Sequence, residues 1–179
     1  GSAGHGGGIT TEAADIVLNA DASTANLTVQ SNSAIDGNTL NGVLVGLTTG
    51  STFAGALTDS SVSANGGTGY AVSADASNAT LTAQNSHVDT NGVDGLAVSL
   101  ANLSTFTGLL DSTTFNGNGA NGMRFTLDNS TGALTTQNNT QANSNTADGL
   151  IATLTSHWTF NALSYNSQLT TNTRHGANV

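Results

Sequence analysis

The sequence predicts an all-β fold, a right-handed single-stranded parallel β-helix of about six coils with three short strands per coil. One observation is an asparagine that recurs every 26 or 27 residues, followed four residues later by a glycine. Another is the alternation of apolar residues after each glycine, which is typical of a strand with one face in a core. A regular period of this length is typical of a solenoid. The pairs are Asn38 and Gly42, Asn65 and Gly69, Asn91 and Gly95, Asn118 and Gly122, Asn145 and Gly149, and Asn172 and Gly176.

The first strand of each coil follows the glycine. Its five residues are VLVGL, YAVSA, LAVSL, MRFTL and LIATL in successive coils, with IVLNA at 16–20 as an earlier copy. Because positions one, three and five are apolar, we expect three inward columns. The columns are Ile16, Val43, Tyr70, Leu96, Met123 and Leu150; Leu18, Val45, Val72, Val98, Phe125 and Ala152; and Ala20, Leu47, Ala74, Leu100, Leu127 and Leu154.

The second strand follows a short turn and is predicted to place one column of alternating Leu and Phe in the core. This alternation, and the recurrence of aspartate and glutamine in every second coil, indicate a duplicated unit of two coils. The third strand is predicted to place one further apolar column just before the asparagine. These columns are Leu27, Phe53, Leu81, Phe106, Leu134 and Phe160, and then Ile35, Val62, Val88, Phe115, Ala142 and Leu169.

The recurrent asparagine is interpreted as a structural ladder. An inward asparagine at a coil corner can hydrogen-bond the backbone of its own turn and the amide of the asparagine in the next coil. A ligand site seldom needs six stacked copies of one residue. The glycine that follows is expected to supply either a positive φ or a close backbone approach.

Composition limits the classes of function. The chain has 179 residues, no Lys, no Cys and a net charge of −9. A nucleic-acid partner is therefore disfavoured, because such proteins present a basic face. The sequence contains no run of 18 apolar residues, so no membrane-spanning helix is predicted. Residues 1–13, which begin GSAGHGGG, are interpreted as a cloning remnant and flexible leader, and residues 14–179 as the β-helix domain of a fragment or mature form.

The corners have an apolar strand after each glycine and belong to a long coil, and in these features they resemble known proteins; they read NTLNG, NGGTG, NGVDG, NGNGANG, NTADG and NTRHG. The chain is similar to right-handed parallel β-helix repeat proteins, which include the pectate-lyase-like superfamily and the passengers of bacterial surface adhesins. The resemblance covers about residues 14–179. It implies the fold, and it implies a secreted or cell-surface bacterial protein. It leaves the function open, because this scaffold carries lyases, hydrolases, adhesins and inert stalks.

The chain departs from the enzymes of that family, and no catalytic, cofactor-binding or metal residues are predicted. Those enzymes hold Ca²⁺ with clustered acids beside a Lys or Arg, whereas Arg124 is expected to be a solvated surface residue with no carboxylate opposite it. Asp94 and Asp148 are interpreted as turn residues. The DTNGVDG segment alternates oxygen ligands at Asp89, Asn91 and Asp94, but it lacks the Glu that closes an EF-hand. No histidine pair is expected to converge on a metal or a serine.

The outward face of the second strand is the candidate binding surface. It is predicted to carry two columns rich in threonine, similar to the T-x-T faces of ice-binding solenoids. The alternative interpretation is β-propensity, since threonine is favoured on exposed strands. The candidate residues are Thr28, Thr52, Thr80, Thr82, Thr105, Thr107, Thr135 and Thr159.

The leading functional hypothesis is a non-enzymatic segment of a secreted or cell-surface bacterial protein that acts as a rigid spacer or an adhesion module. A carbohydrate-active enzyme or glycan binder is the alternative, and ice binding is the third. No cofactor is expected. The expected partners are a glycan or a protein at a cell surface, and end-to-end self-association through the apolar side chains of a terminal coil.

Overall fold

The computed structural model describes residues 16–179, so the leader assigned to 1–13 lies outside the described residues. These residues form an all-β parallel solenoid of about six coils, each of about 27 residues, as predicted. The chain alternates between two parallel sheets, so that each strand inside a sheet pairs with the strand one coil before it and the strand one coil after it. Sheet 1 contains β1 (Ile16–Asp21), β3 (Val43–Thr48), β5 (Tyr70–Asp75), β7 (Leu96–Ala101), β9 (Met123–Asp128), β11 (Leu150–Thr155) and β13 (Ala177–Asn178). Sheet 2 contains β2 (Thr24–Val29), β4 (Thr52–Thr58), β6 (Asn78–Gln84), β8 (Thr105–Asp111), β10 (Thr131–Gln137) and β12 (Thr159–Ser164).

The predicted third strand is reduced to one parallel bridge per coil. These bridges form a single column between sheet 2 and the asparagine corner. Residues on both sides of each bridge adopt left-handed backbone conformations, as Asp59 and Ala64 do around Ser61, and such conformations end a strand. The bridge column consists of Ala34, Ser61, His87, Thr114, Gln141 and Gln168.

The inward columns predicted for sheet 1 are confirmed by its register. Ile16 pairs with Val43, Val43 with Tyr70, and Tyr70 with Leu96, and the column continues to Leu150. The column before the asparagine is also in the core, where the residues from Ile35 to Ala142 are buried and Leu169 packs against them. Burial of apolar residues in one contiguous cluster is the main stabilising term.

The single column of Leu and Phe predicted for sheet 2 is wrong. These residues do point inward, but Leu27 pairs with Gly55, and Phe53 pairs with Ala25. Leucines and phenylalanines therefore occupy two neighbouring columns, and each column alternates large residues with Gly or Ala. The physical reason is space: a Cβ on Gly55 would lie 2.9 Å from the Phe53 ring. The columns are Leu27, Gly55, Leu81, Gly108, Leu134 and Ala162, and Ala25, Phe53, Ala79, Phe106, Gly132 and Phe160.

The last coil differs from the central coils in burial. Leu150 is buried, Leu169 is partly buried, and Leu163 and Tyr165 are 64% and 70% exposed. End-to-end association through this coil stays a prediction, which sedimentation over a range of concentrations would test. Among the described residues, no helix is long and apolar enough to cross a membrane.

Candidate functional site

The asparagine ladder occupies one corner of the solenoid and is buried. The side-chain oxygen of Asn118 accepts hydrogen bonds from the backbone N–H of Asn91 at 2.9 Å and from its amide at 3.2 Å. The Asn91 amide also donates to the carbonyl of Val62 in the preceding coil. The predicted stack is confirmed, although these backbone partners lie in neighbouring coils rather than in the asparagine's own turn. The ladder is Asn38, Asn65, Asn91, Asn118, Asn145 and Asn172.

The glycine after each ladder residue is required by a close approach. Gly69 and Gly95 are absent from the residues with positive φ, so that alternative is excluded for them. A Cβ on Gly95 would lie 2.7 Å from the Gly122 carbonyl oxygen and 2.9 Å from the side-chain nitrogen of Asn118. Any larger residue at this position would therefore displace the ladder.

Two further polar ladders flank the asparagines, and the sequence analysis missed both. In the first, each side chain accepts the backbone N–H of the residue one coil later, as Asp89 does from Asn116 at 2.6 Å. This ladder is Asp36, Ser63, Asp89, Asn116, Asn143 and Thr170. In the second, the residue directly before each recurrent glycine plays the same part, with acceptors at Asn41, Asp94, Asn121 and Asp148.

These ladders decide what the acidic residues do. Asp89, Asn91 and Asp94, the three oxygen ligands of the DTNGVDG segment, belong to three different ladders, and each accepts backbone N–H groups. Within residues 16–179, no three His, Asp or Glu side chains come together as a metal site. The acids therefore stabilise the corners through hydrogen bonds to backbone donors.

The expectation that Arg124 has no carboxylate opposite it is wrong. Its Nε donates to Oδ2 of Asp94 at 2.6 Å, and the Asp94 side chain is 1% exposed. Arg124 lies on β9, and Asp94 lies at the corner before β7. The two residues are 30 apart in sequence, so the ion pair links neighbouring coils at positions offset by three residues. Because a buried carboxylate needs a partner, this arginine stabilises the corner while 40% of its own side chain faces solvent.

Asp148 is a second buried carboxylate on the same edge. Its Oδ1 accepts the backbone N–H of His175 at 3.0 Å and lies 2.6 Å from the imidazole Nδ1. Its Oδ2 makes no hydrogen bond within the described residues, and the closest cation is Nη1 of Arg174 at 3.8 Å. The edge thus holds two carboxylates, Asp94 and Asp148, each beside an arginine.

The threonine face has three outward columns, not the two predicted. The register of sheet 2 places Thr105 beside Asn78 and Thr131, and Thr107 beside Thr80 and Ala133. The error has the same origin as that of the Leu and Phe column, a shift of two residues in alternate coils. The columns are Thr24, Thr52, Asn78, Thr105, Thr131 and Thr159; Asn26, Ala54, Thr80, Thr107, Ala133 and Asn161; and Thr28, Ala56, Thr82, Leu109, Thr135 and Leu163.

All eight candidate threonines lie on this outward face, and only one column is rich in threonine throughout. Seven of the eight are exposed, and Thr135 is partly exposed. Some of the hydroxyls bond along the column, as Thr105 does to the Asn78 side chain at 2.6 Å. The third column includes Leu109 and Leu163, which are 37% and 64% exposed. The face is a regular array of parallel rungs with apolar residues along one side.

A groove lies at the turns between sheet 1 and sheet 2. The register aligns Ser23, Ser51, Ser77, Ser104 and Ser130 in one column, and Trp158 takes the place of serine in the next coil. Every second coil has one additional residue in this turn, as at Gly50 and Leu103. The groove follows the shorter turn at Asn129, between Leu103 on one side and Trp158 on the other, and has a volume of about 360 Å³.

Comparisons with known proteins do not indicate a function for this chain. No family model, no curated protein and no solved structure matches this chain. The solenoid, its ladders and its surfaces are therefore the basis of the functional argument.

Proposed function

We propose that this chain is a non-enzymatic β-helical segment of a secreted or cell-surface bacterial protein, acting as a rigid spacer or adhesion module. The observation that carries the proposal is the set of polar ladders that link each coil corner to the next. The asparagine ladder extends over all six coils, from Asn38 to Asn172. A column of hydrogen bonds along the axis resists both bending and separation of coils, which are the loads on a spacer.

The placement of the acidic residues supports a structural role. Asp36, Asp89, Asp94 and Asp148 each accept a backbone N–H from the next coil. General acid–base chemistry needs carboxyl groups whose environments differ and which face a substrate. These side chains instead face backbone donors inside the corners.

Surface chemistry and resemblance support the location. Asn, Thr, Ser and Gly provide neutral polar groups on the outward faces, and the net charge of −9 opposes association with other anionic polymers. The N-x-x-x-G corners are those that resemble the passengers of bacterial surface adhesins. These observations favour a rod that projects into solvent.

Two experiments test this proposal. A screen of neutral and acidic polysaccharides is expected to yield no new reducing ends and no unsaturated products. Stretching the chain between beads is expected to show constant length under load, followed by abrupt unfolding. Gradual extension at low load would overturn the spacer role. Turnover that Asp94→Asn abolishes in a folded protein would overturn the non-enzymatic assignment.

The alternative is a carbohydrate-active protein, and the acidic edge is the observation that favours it. Asp94 and Asp148 lie two coils apart, about 9.5 Å at the usual spacing of parallel strands. That separation is at the upper limit for the carboxylates of inverting glycosidases. Arg124 lies beside Asp94 at this edge. The same screen decides between the two functions.

Ice binding through the threonine face is the third proposal. The column that favours it has threonine at five of its six rungs, which repeat at about 4.8 Å: Thr24, Thr52, Asn78, Thr105, Thr131 and Thr159. Thr105→Tyr is expected to abolish inhibition of ice recrystallisation if this face binds ice. Ser73→Tyr, at an exposed outward position of sheet 1, is the matched control. Equal activity in the two variants would contradict the proposal.

A further inference from the structure

We propose that the groove between Leu103 and Trp158 binds a neutral saccharide, with the Trp158 ring as the stacking surface. This inference goes beyond the spacer role and does not depend on it. The groove crosses three consecutive coils at the turns between the two sheets. The argument rests on two departures from the repeat and on the hydrogen-bonding groups between them.

The first departure is Trp158. Five preceding coils have a serine at this register position, and those at positions 51, 77, 104 and 130 are buried. Trp158 lies immediately before β12, the outermost strand of sheet 2, where most side chains are exposed, and it is itself 50% exposed. An exposed indole offers a flat apolar face together with an N–H donor, and this combination is enriched at binding interfaces.

The second departure is Leu103, which has φ +66° and is 76% exposed. The equivalent residue two coils earlier is Gly50, with φ +74°. The left-handed conformation is unfavourable for leucine and costs glycine little. Left-handed residues recur in the turns of this solenoid, so what distinguishes Leu103 is a large apolar side chain held in solvent where the repeat has glycine.

The floor of the groove supplies polar groups. Within the described residues, the side chains of Asn129, Thr131 and Thr159 make no hydrogen bonds, whereas Thr105 and Asn102 are bonded to side chains of the preceding coil. Asparagine and threonine side chains both donate and accept. Sugar hydroxyls also donate and accept, so this floor matches them, while the apolar face of a sugar ring matches Trp158.

The size and charge of the groove identify the class of ligand. A volume of about 360 Å³ is at the lower end of small-ligand sites. A stable protein partner needs roughly 800 Å² of contact on each side, which is more than this groove offers. His157 is the single titratable side chain that lines it. A neutral oligosaccharide therefore fits better than an acidic one.

The test uses the intrinsic fluorescence of Trp158, since the chain has one tryptophan. The whole chain is titrated with neutral oligosaccharides of glucose, mannose and N-acetylglucosamine, and with oligogalacturonate as the acidic comparison. We expect a saturable change in emission with at least one neutral sugar, at concentrations up to about 1 mM. Absence of a saturable change with every neutral sugar, or a preference for oligogalacturonate, would overturn the proposal.

Two variants replace the groove residues by those found at the equivalent positions of other coils, so that an effect on binding can be distinguished from an effect on folding. Trp158→Ser and Leu103→Gly are each expected to weaken binding at least about tenfold by calorimetry. Leu103→Gly is also expected to raise the thermal midpoint, because it removes left-handed strain. Unchanged affinity in folded Trp158→Ser would overturn the site. If that variant fails to fold, Asn129→Ala tests the floor, and its unchanged affinity would overturn the proposed sugar contacts.

Discussion

Two corners of this solenoid solve the same packing problem in different ways. The asparagine corner repeats one residue six times, and Asn38 to Asn145 are at most 2% exposed. The serine corner, between sheet 1 and sheet 2, gains an additional residue in every second coil and exchanges its serine for Trp158 in the last one. Each corner turns the chain from one element of the coil to the next, but only the first is uniform.

The difference follows from the atoms that surround each corner. An asparagine in the ladder contacts the next asparagine, and the Cβ of any residue replacing Gly95 would meet that ladder. Additional residues at the serine corner extend into solvent, as Gly50 does, where a Cβ would meet no atom within 4 Å. The buried corner therefore defines the axis, and the open corner is free to acquire a binding surface.

The sharpest test of this contrast is removal of one ladder side chain. We expect Asn118→Ala to lower the free energy of unfolding by about 1 to 3 kcal/mol, because the N–H and amide of Asn91 lose their acceptor in a buried site. Chemical denaturation measures this change. Asn78→Ala is the matched control directly after the serine corner, where the side-chain oxygen accepts a hydrogen bond from the Thr105 hydroxyl at an exposed position, and it is expected to cost less than about 0.5 kcal/mol. Equal costs in both variants would contradict the comparison.

The first strand and the asparagine ladder could be predicted because each is carried by one residue type at a fixed step. The second-strand register could not, since the additional residue in alternate turns shifts the chain, and Leu81 and Phe106 are equally apolar. The ladder before the glycines was hidden because residues as different as Asn41, Asp94 and His175 share only the ability to hydrogen-bond.

The groove was missed for a related reason. Trp158 departs from a serine column that becomes visible only once the register of sheet 2 is known. The ion pair of Arg124 and Asp94 was missed because it links neighbouring coils at positions offset by three residues. Both features depend on contacts across coils rather than on local pattern.

The next test introduces, at one turn of the serine corner, the backbone strain that is present at the equivalent turn two coils later. Gly50→Leu places leucine in the conformation that Leu103 adopts, and we expect it to cost about 1 to 2 kcal/mol. Because space around Gly50 is open, backbone strain is the main effect. Gly50→Asn is the control, since asparagine tolerates the left-handed region. A leucine variant as stable as the asparagine variant would show that strain at Leu103 is negligible.

The core between the two corners contains one buried polar group without a hydrogen-bond partner among the described residues. The Tyr70 hydroxyl is buried and makes no hydrogen bond to any described residue, and burial raises the pKa of this phenol. Tyr70→Phe removes the unpaired group, so we expect the free energy of unfolding to rise by up to about 1 kcal/mol. Tyr165→Phe, at a residue 70% exposed, is the control and is expected to have no effect. A loss of stability in Tyr70→Phe would reveal an acceptor for this hydroxyl.

The smallest effect is expected at the partly exposed turn after sheet 2, where Asp111 accepts hydrogen bonds from the side chains of Asn138 and Gln137. These side-chain hydrogen bonds, that of Asn138 first, lower the pKa of Asp111. Because the folded pKa lies below the unfolded value of about 3.9, the carboxylate stabilises the fold above that pH. Its contribution is lost as the pH falls through the lower, folded pKa.

Thermal midpoints measured at a series of pH values below about 5 are therefore expected to fall less steeply in Asp111→Asn than in the unaltered chain. Asp59→Asn is the control, since the Asp59 side chain makes no hydrogen bond within the described residues. The ladder aspartates Asp89 and Asp94 accept backbone N–H groups at 2.6 to 3.1 Å, whereas Asp111 accepts from the side chains of Gln137 and Asn138 at 2.9 to 3.1 Å. Water competes for exposed hydrogen bonds and weakens them. If Asp111→Asn lowered the free energy of unfolding more than Asn118→Ala does, the assignment of stability to the asparagine corner would be contradicted.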